Sequence, residues 1–226
     1  MGQYSKKGLY SGYDKNHKER EALDYYATPI QEVVNILETI GLDLKNKIIL
    51  EPCCGGGHMV EGILRYEPKC NIIATDVQGR PNQFAAEHMN GNKVTYRHGK
   101  DWDFLSESYA CNGVDYTIMN PPFSLLIPFV QHAIDITKTG VLMLGKLQFL
   151  ETQGRYNEIF KTMPPSDIYG YIDRIACYKG GDFSIKPSSI EAYAWYYFDV
   201  EKIKSGEPYD TKYHWLWSKK LDFFIK

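Results

Sequence analysis

The chain has 226 residues, a length that suits one globular domain, and a formal net charge of −2. A balance this close to neutral excludes a strongly basic nucleic-acid-binding chain, so any surface for nucleic acid must be a local patch. No apolar run approaches the roughly 18 residues that a membrane helix needs, and the five cysteines form no even disulfide framework. We therefore expect a reduced, cytoplasmic protein with no membrane partner.

The predicted elements alternate between helix and strand. Residues 1–20 are polar and lack an apolar periodicity, which predicts a flexible arm, and residues 21–226 predict a single domain. The first helix is predicted over residues 28–41, with Thr28 as its cap and Pro29 in its first turn. Strands are predicted at 47–51, 71–76, 93–98, 114–120 and 140–149, with helices at 59–67, 80–89 and 125–136. This alternation predicts βαβ units around a parallel sheet, and two β-rich segments beyond residue 164 predict a hairpin-like pair at its edge.

A glycine-rich loop, "EPCCGGGHM", follows the first predicted strand of the sheet. In such sheets ligands bind beyond the carboxyl ends of the strands, and glycines let the backbone approach them closely. Asp76 ends the second strand about 20 residues later, where an acid can accept both hydroxyls of a ribose. Loop and acid together predict a nucleoside-containing cofactor, either a dinucleotide or S-adenosylmethionine.

The paired cysteines of this loop, Cys53 and Cys54, raise the alternative of a metal site. Structural zinc takes four ligands in spaced pairs, whereas these two are adjacent and no second pair follows. We therefore expect no metal and interpret both cysteines as small buried residues.

The tetrapeptide Asn120-Pro121-Pro122-Phe123 follows another predicted strand. The prolines fix the backbone and leave carbonyls without a neighbouring N–H. The Asn120 side-chain oxygen and a proline carbonyl can accept both hydrogens of a planar amine, and Phe123 can stack on the ring that carries it. Two acceptors favour a tetrahedral nitrogen that attacks an electrophilic methyl group without a base or a metal. The alternative is a plain turn with a core phenylalanine.

Taken in order, "DYYATP", "EPCCGGG" and "NPPF" resemble the S-adenosylmethionine-dependent amino-methyltransferases, most of all DNA adenine-N6 methyltransferases of the small phage or prophage type. The resemblance runs from about residue 24 to residue 199. It implies a Rossmann-like class I methyltransferase fold: a mostly parallel seven-stranded sheet with helices on both faces and an antiparallel edge strand. It also implies S-adenosylmethionine as cofactor, a flipped-out adenine in DNA as substrate, and the cytoplasm of a bacterial or phage-infected cell.

The resemblance also implies roles for individual residues. Those around the cofactor are Tyr26, Thr28 and Pro29 at the methionine part, Glu51, Cys53, Gly55 and Gly57 in the loop, Asp76 at the ribose, and Asp101 with Trp102 at the adenine. Asp103 with Phe104 is the alternative pair at the adenine. The catalytic residues implied are Asn120, Pro121, Pro122 and Phe123.

Several questions stay open on the residues alone. Only about 27 residues follow Asp199, which leaves little room for a target-recognition domain, so loose specificity, a homodimer or a partner subunit are all compatible. The same chemistry serves an adenine in RNA or a protein glutamine, and an inactive cofactor-binding subunit is a third alternative. Lys146, Arg155 and Arg174 are each either a contact to a DNA backbone or a partner in a surface salt bridge. "KYHWLW" near the end is either an aromatic patch for bases or a packed strand.

Overall fold

The computed structural model describes residues 25–84, 93–106, 111, 113–184 and 191–219. The strands are β1 (Tyr26–Ala27), β2 (Ile48–Glu51), β3 (Asn71–Asp76), β4 (Lys93–His98), β5 (Val114–Met119), β6 (Thr137–Lys146), β7 (Asp167–Tyr171), β8 (Tyr178–Lys179), β9 (Tyr193–Asp199) and β10 (Lys212–Leu216). The α-helices are α1 (Ile30–Ile40), α2 (His58–Tyr66), α3 (Leu126–Ile136), α4 (Gln153–Arg155) and α5 (Val200–Ser205). A π-helical turn, Tyr156–Phe160, continues α4. The predicted arm lies outside these residues, as does 85–89 of the predicted helix at 80–89, and residues 81–84 are not helical.

Eight strands form the main sheet, in the order β10-β7-β9-β6-β5-β2-β3-β4. All neighbouring strands are parallel except β9, which runs antiparallel to both β6 and β7. The predicted fold class, a mostly parallel sheet with helices on both faces, is confirmed. Two details differ from the prediction: the antiparallel strand lies inside the sheet, and β10 adds an eighth strand at the edge. The physical reason is that β9 is apolar on both faces and almost wholly buried, whereas β10 is mostly exposed.

The central strands carry side chains into two hydrophobic cores, one on each face of the sheet. Ile49 and Ile118 pack into the core under α1 and α2, whereas Leu50 and Met119 pack into the core under α3. Successive side chains of a strand point to opposite faces, so a strand buried on both sides must be apolar throughout. This packing fixes the positions of the carboxyl ends from which the site is built.

Helix α1 forms close to its predicted position, but its cap differs from the predicted one. Val33, Ile36 and Leu37 are fully buried, and Gly41 ends the helix with a φ of 70°. Pro29, not Thr28, occupies the capping position, and no side chain caps the helix. The Thr28 hydroxyl instead accepts a hydrogen bond from the side chain of Asn120, so the start of α1 is tied to the predicted catalytic tetrapeptide.

Strands β1 and β8 form a separate two-stranded antiparallel ribbon, which we call the strap. Tyr26 pairs with Lys179 and Ala27 with Tyr178, and the Gly180 N–H donates to the Tyr25 carbonyl at 2.8 Å. The strap lies across the carboxyl end of β2, because Tyr25 at its start contacts the glycine-rich loop. It therefore covers the edge at which ligands bind in a parallel sheet.

The "KYHWLW" segment is a packed strand with an aromatic face. Leu216 is buried, whereas Trp215 and Trp217 are 70% and 65% exposed.

Within the described ranges, no helix has the length and apolar character needed to cross a bilayer.

Candidate active site

A cavity of about 690 Å³, measured with its open mouth, lies at the carboxyl edge of the sheet beneath the strap. Its walls include seven predicted site residues, namely Tyr26, Cys53, Asp76, Asn120, Pro121, Pro122 and Phe123. A second cavity of about 270 Å³ shares Tyr26, Cys53 and Asn120 and adds two more, Thr28 and Glu51. Nine of the predicted site residues therefore line one or both of these cavities. Of the other predicted residues, Pro29 is buried at the start of α1, Gly55 and Gly57 shape the loop, and Asp101 and Trp102 line neither cavity.

The Asn120 side chain is held by two acceptors. Its amide nitrogen Nδ2 donates to the Tyr26 carbonyl at 2.8 Å and to the Thr28 hydroxyl at 3.1 Å. Because a backbone carbonyl only accepts, the atom facing Tyr26 must be the nitrogen. The side-chain oxygen Oδ1 is thereby directed away from the strap, where it can accept a hydrogen bond from a ligand.

The two prolines differ in what their carbonyls do. The Pro122 carbonyl accepts from the Leu125 N–H at 2.9 Å, which starts a short 3-10 turn. The Pro121 carbonyl precedes a residue without an N–H, and Pro121 is among the residues that line the main cavity. Pro121 is therefore the carbonyl better placed to act with Asn120 Oδ1 as a second acceptor.

Phe123 lies among aromatic rings and one cation. Its ring centroid is 5.8 Å from that of Tyr26 and 6.0 Å from that of Tyr193. The Lys146 ammonium lies 4.9 Å from the same centroid and forms an ion pair with Glu191 at 2.9 Å. Lys146 thus sits beside the predicted stacking surface. Of the other two cations named above, Arg155 donates to the Gln148 carbonyl and Arg174 is exposed.

The glycine-rich loop needs its glycines for two separate reasons. Gly55 and Gly57 have φ values of 48° and 87°, in the left-handed region that strains other residues. A side chain at Gly55 would also collide with the Tyr25 ring, and one at Gly57 would collide with Asn82. The tight turn brings the Gly55 N–H to Asp76 Oδ2 at 2.8 Å and the Gly56 N–H to the Tyr25 hydroxyl at 2.8 Å.

Tyr25 is a site residue that the sequence reasoning missed, although it stands beside Tyr26 in "DYYATP". Its ring lies against the loop, and the Arg80 guanidinium stacks over that ring at 4.8 Å. It lines both cavities described above. No local sequence pattern could have found it, because its contacts with the loop and with Arg80 come from tertiary packing.

Asp76 is buried and engaged through both oxygens. Oδ2 accepts from Gly55, while Oδ1 accepts from the Gln78 N–H at 2.7 Å and from Arg80 at 3.3 Å. A carboxylate has about four lone-pair sites, so it can still accept from a ligand hydroxyl. Arg80, missed from the sequence, is the cation that balances this acid.

Glu51 is the least satisfied polar group of the site. Oε1 faces the Cys53 N–H at 3.3 Å and the Cys53 thiol at 3.4 Å, whereas Oε2 has no hydrogen-bond partner among the described residues. Burial, and then the negative charge of Asp76, raise the pKa of Glu51 well above its usual range. An acid in this state favours a cationic ligand, which would offset the cost of ionising it.

Of the two loop cysteines, Cys54 is buried and Cys53 is partly buried. Burial, and then the charge of Glu51, raise the pKa of the Cys53 and Cys54 thiols well above normal. Both thiols therefore stay protonated near neutral pH, whereas a metal ligand or a nucleophile needs the thiolate. Within the described ranges, no group of three or more histidine, cysteine and acidic side chains is arranged to hold a metal ion.

The two candidate acids that follow β4, Asp101 and Asp103, differ in their position relative to the main cavity. Asp103 and Phe104 line the main cavity. Asp101 is exposed, and Trp102 stacks with Arg97, whose guanidinium is 5.7 Å from the ring centroid. The 3-10 turn Lys100–Trp102 causes this, since it moves the chain out of the strand alternation before Asp103. The alternative pair therefore faces the cavity, and the first choice, Asp101 with Trp102, does not.

The comparisons with known proteins bear on the fold. No protein-family model and no curated protein sequence matches the chain. Among solved structures it is similar to a candidate RNA methyltransferase from Pyrococcus horikoshii, with 19% identity, a TM-score of 0.54, and coverage of 78% of this chain and 85% of that one. It is also similar to the modification subunit of a candidate type I restriction enzyme from Vibrio vulnificus YJ016, with 16% identity and a TM-score of 0.59. That match covers 95% of this chain but only 53% of the subunit.

A third similar structure is a predicted O-methyltransferase from Agrobacterium tumefaciens, with 9% identity, a TM-score of 0.55, and coverage of 86% and 88% of the two chains. Likeness at such low identity concerns the backbone and not the chemistry. The chain thus has the Rossmann-like fold found in these methyltransferase structures. Its activity has to be argued from the site.

Proposed function

We propose that this protein transfers a methyl group from S-adenosylmethionine to the exocyclic N6 amine of adenine in DNA. The observation that carries the proposal is the fixed orientation of Asn120. Its Nδ2 is held by Tyr26 and Thr28, so Oδ1 and the Pro121 carbonyl are left as two acceptors for one –NH2 group. An arrangement of this kind suits an amine attached to a planar ring.

Two observations support the fit of S-adenosylmethionine to the residues around the cavities. The left-handed glycines of the loop let the backbone approach a ligand. Glu51 Oε2 is a buried acid oxygen that no described residue bonds, and it would favour the cofactor's ammonium group. Asp76 can accept from one of the cofactor's ribose hydroxyls. When bound, S-adenosylmethionine would supply an electrophilic methyl group, and Tyr26 on the strap would help to enclose its methionine part.

The adenine of the cofactor is assigned to Asp103 and Phe104. Asp103 Oδ1 accepts from the Leu105 N–H at 3.1 Å, which orients the carboxylate. Phe104 is 2% exposed and packs against Phe129, with the ring centroids 4.9 Å apart, so it offers a fixed apolar surface to a ring. This assignment replaces Asp101 with Trp102, which do not face the cavity.

The residues of the tetrapeptide act on the target base. Asn120 Oδ1 and the Pro121 carbonyl accept the two amine hydrogens, which favours a tetrahedral nitrogen whose lone pair points at the methyl group. Phe123 stacks on the base, a contact worth about 1–3 kcal/mol for an aromatic side chain. A base within a duplex must first leave the stack, at a cost of a few kcal/mol.

DNA is proposed as the polymer because the three-motif set most resembles DNA adenine-N6 methyltransferases, and because one similar structure is a restriction-modification subunit. Another of the similar structures, a candidate RNA methyltransferase, makes an adenine in RNA the second candidate. This proposal is compatible with a protein that acts alone, as a homodimer or with a partner subunit.

A direct test incubates the protein and methyl-labelled S-adenosylmethionine in three separate reactions, one with DNA, one with RNA and one with a protein mixture. The expected result is label in N6-methyladenine of digested DNA, and its loss in Asn120→Ala with cofactor binding retained. Label in RNA alone would overturn the choice of polymer. Undiminished transfer by Asn120→Ala would overturn the mechanism.

A further inference from the structure

The smaller cavity contains a histidine that the proposed function leaves unused. His58 is 5% exposed and lines this cavity together with Glu51. Its ring stacks on Phe183 with centroids 4.7 Å apart and meets the edge of Phe84 at 5.2 Å. The ring nitrogen Nδ1 has no hydrogen-bond partner within the described ranges. Because a buried polar atom without a partner is costly, this nitrogen indicates a ligand.

The backbone around His58 adds a positive end of a helix. His58 is the first residue of the nine-residue helix α2, and the Glu61 N–H is the donor that bonds back to Gly57, at 2.9 Å. The amides of residues 58–60 precede that bond and lie at the positive end of the helix dipole. Nδ1 faces the turn, since a Cβ atom built on Gly56 would be 3.3 Å from it.

One small cavity thus contains an acid oxygen, Glu51 Oε2, and an imidazole nitrogen at a helix N-terminus, neither of which is bonded by a residue in the described part of the chain. These groups have opposite preferences, because the acid favours a cation whereas the N–H groups favour an anion. A free α-amino acid group carries both charges on adjacent atoms. Burial lowers the pKa of His58, so its ring is neutral near pH 7, and the tautomer with the proton on Nδ1 can donate to a carboxylate.

We propose that His58 binds the carboxylate of the cofactor's amino-acid end, through Nδ1–H and beside the amides of α2. This inference rests on the proposed function and deepens it, since it assigns a residue that determines recognition of the amino-acid part. The competing explanation is that His58 only fills the space between Phe84 and Phe183.

Two nucleosides separate these explanations. S-adenosylhomocysteine carries the amino-acid end, whereas 5′-methylthioadenosine lacks it but shares the nucleoside. His58→Phe keeps an aromatic ring between Phe84 and Phe183 and removes the nitrogen. His58→Asn offers an amide nitrogen near the position of Nδ1. Titration calorimetry of the full chain measures the dissociation constant of each ligand, and thermal unfolding checks that each variant is folded.

We expect His58→Phe to weaken S-adenosylhomocysteine binding on the order of 10- to 100-fold, as for a lost hydrogen bond to a charged group. Binding of 5′-methylthioadenosine should stay within about twofold by the same reasoning, and His58→Asn should recover part of the loss. Equal weakening of both ligands, or none, would overturn the role of His58 and leave the proposed function standing. A wild-type protein that binds neither nucleoside would overturn the cofactor assignment and this inference together.

Discussion

At the scale of single residues, the orientation of Asn120 depends on Thr28. The hydroxyl of Thr28 is buried and accepts from Asn120 Nδ2, so it helps to keep Oδ1 turned toward the cavity. Thr28→Val removes this acceptor at nearly constant volume. The loss of one neutral hydrogen bond, about 1 kcal/mol, should lower the turnover number about fivefold.

Thr28→Ser is the matched control for this prediction because it keeps the hydroxyl. Single-turnover rates of methyl transfer, measured at saturating cofactor, should be near wild type for Thr28→Ser and reduced for Thr28→Val. Equal rates in the two variants would mean that Thr28 does not orient Asn120.

A second residue-scale prediction concerns the two acids at the end of β4. Asp103 lines the main cavity, whereas Asp101 is exposed. Asp103→Asn should weaken S-adenosylhomocysteine binding on the order of 10- to 100-fold, because a carboxylate acceptor for the adenine amine is lost. Asp101→Asn is the matched control and should leave the dissociation constant, measured by calorimetry, within about twofold. The reverse pattern would restore Asp101 as the adenine contact.

The sequence predicted that some residues would converge at this cavity and missed the convergence of others. Asn120, Asp76 and the glycine-rich loop were expected to converge because the carboxyl ends of parallel strands share one edge. The choice between Asp101 and Asp103 depends on a 3-10 turn that has no clear signature. The contact of Tyr25 with Gly56 is set by tertiary packing far along the chain, which local patterns do not encode.

At the scale of elements, a buried acid joins α1 to β7. Glu32 on α1 is 2% exposed, and Asn35 donates to it at 3.4 Å. Burial raises the pKa of Glu32 to about 7, although hydrogen bonds from Tyr171 and Asn35 oppose the shift. Because the folded protein binds this proton more tightly than the unfolded chain, stability is lost as pH rises from about 4.5 to about 7.

Glu32→Gln removes the titrating group and nearly preserves its shape. The free energy of unfolding of the wild type should fall by about 2–3 kcal/mol more than that of the variant when the pH is raised from 5 to 8, because only the wild type must ionise a buried acid over that interval. Urea unfolding at the two pH values measures this difference. A difference from wild type that is the same at both pH values would show that Glu32 does not titrate in this range.

The strap is the element that the sequence concealed. Strands of two residues, β1 and β8, carry too few residues for an alternating pattern, and their pairing spans most of the chain. The long apolar strands β5 and β6, in contrast, were predicted at nearly their observed positions. Short elements are therefore determined by the tertiary contacts that they make, here to the glycine-rich loop.

At the scale of the whole molecule, the order of the strands decides what the site can be. The chain runs from β2 to β3 and β4 on one side and then to β5 and β6 on the other. The reversal between β2 and β5 places the glycine-rich loop next to Asn120, where a crevice forms in open α/β sheets. Because alternation alone does not give strand order, the interior position of β9 and the added β10 could not be predicted.

Methylation mapping of genomic DNA from cells that express the protein tests the central claim most directly. Wild-type protein should produce N6-methyladenine, and cells that express Asn120→Ala at equal level should show only background. The sequence around each modified adenine would also report how specific the recognition is. Unmodified adenines in DNA, with a folded and cofactor-binding wild-type protein, would contradict the claim that adenine in DNA is the substrate.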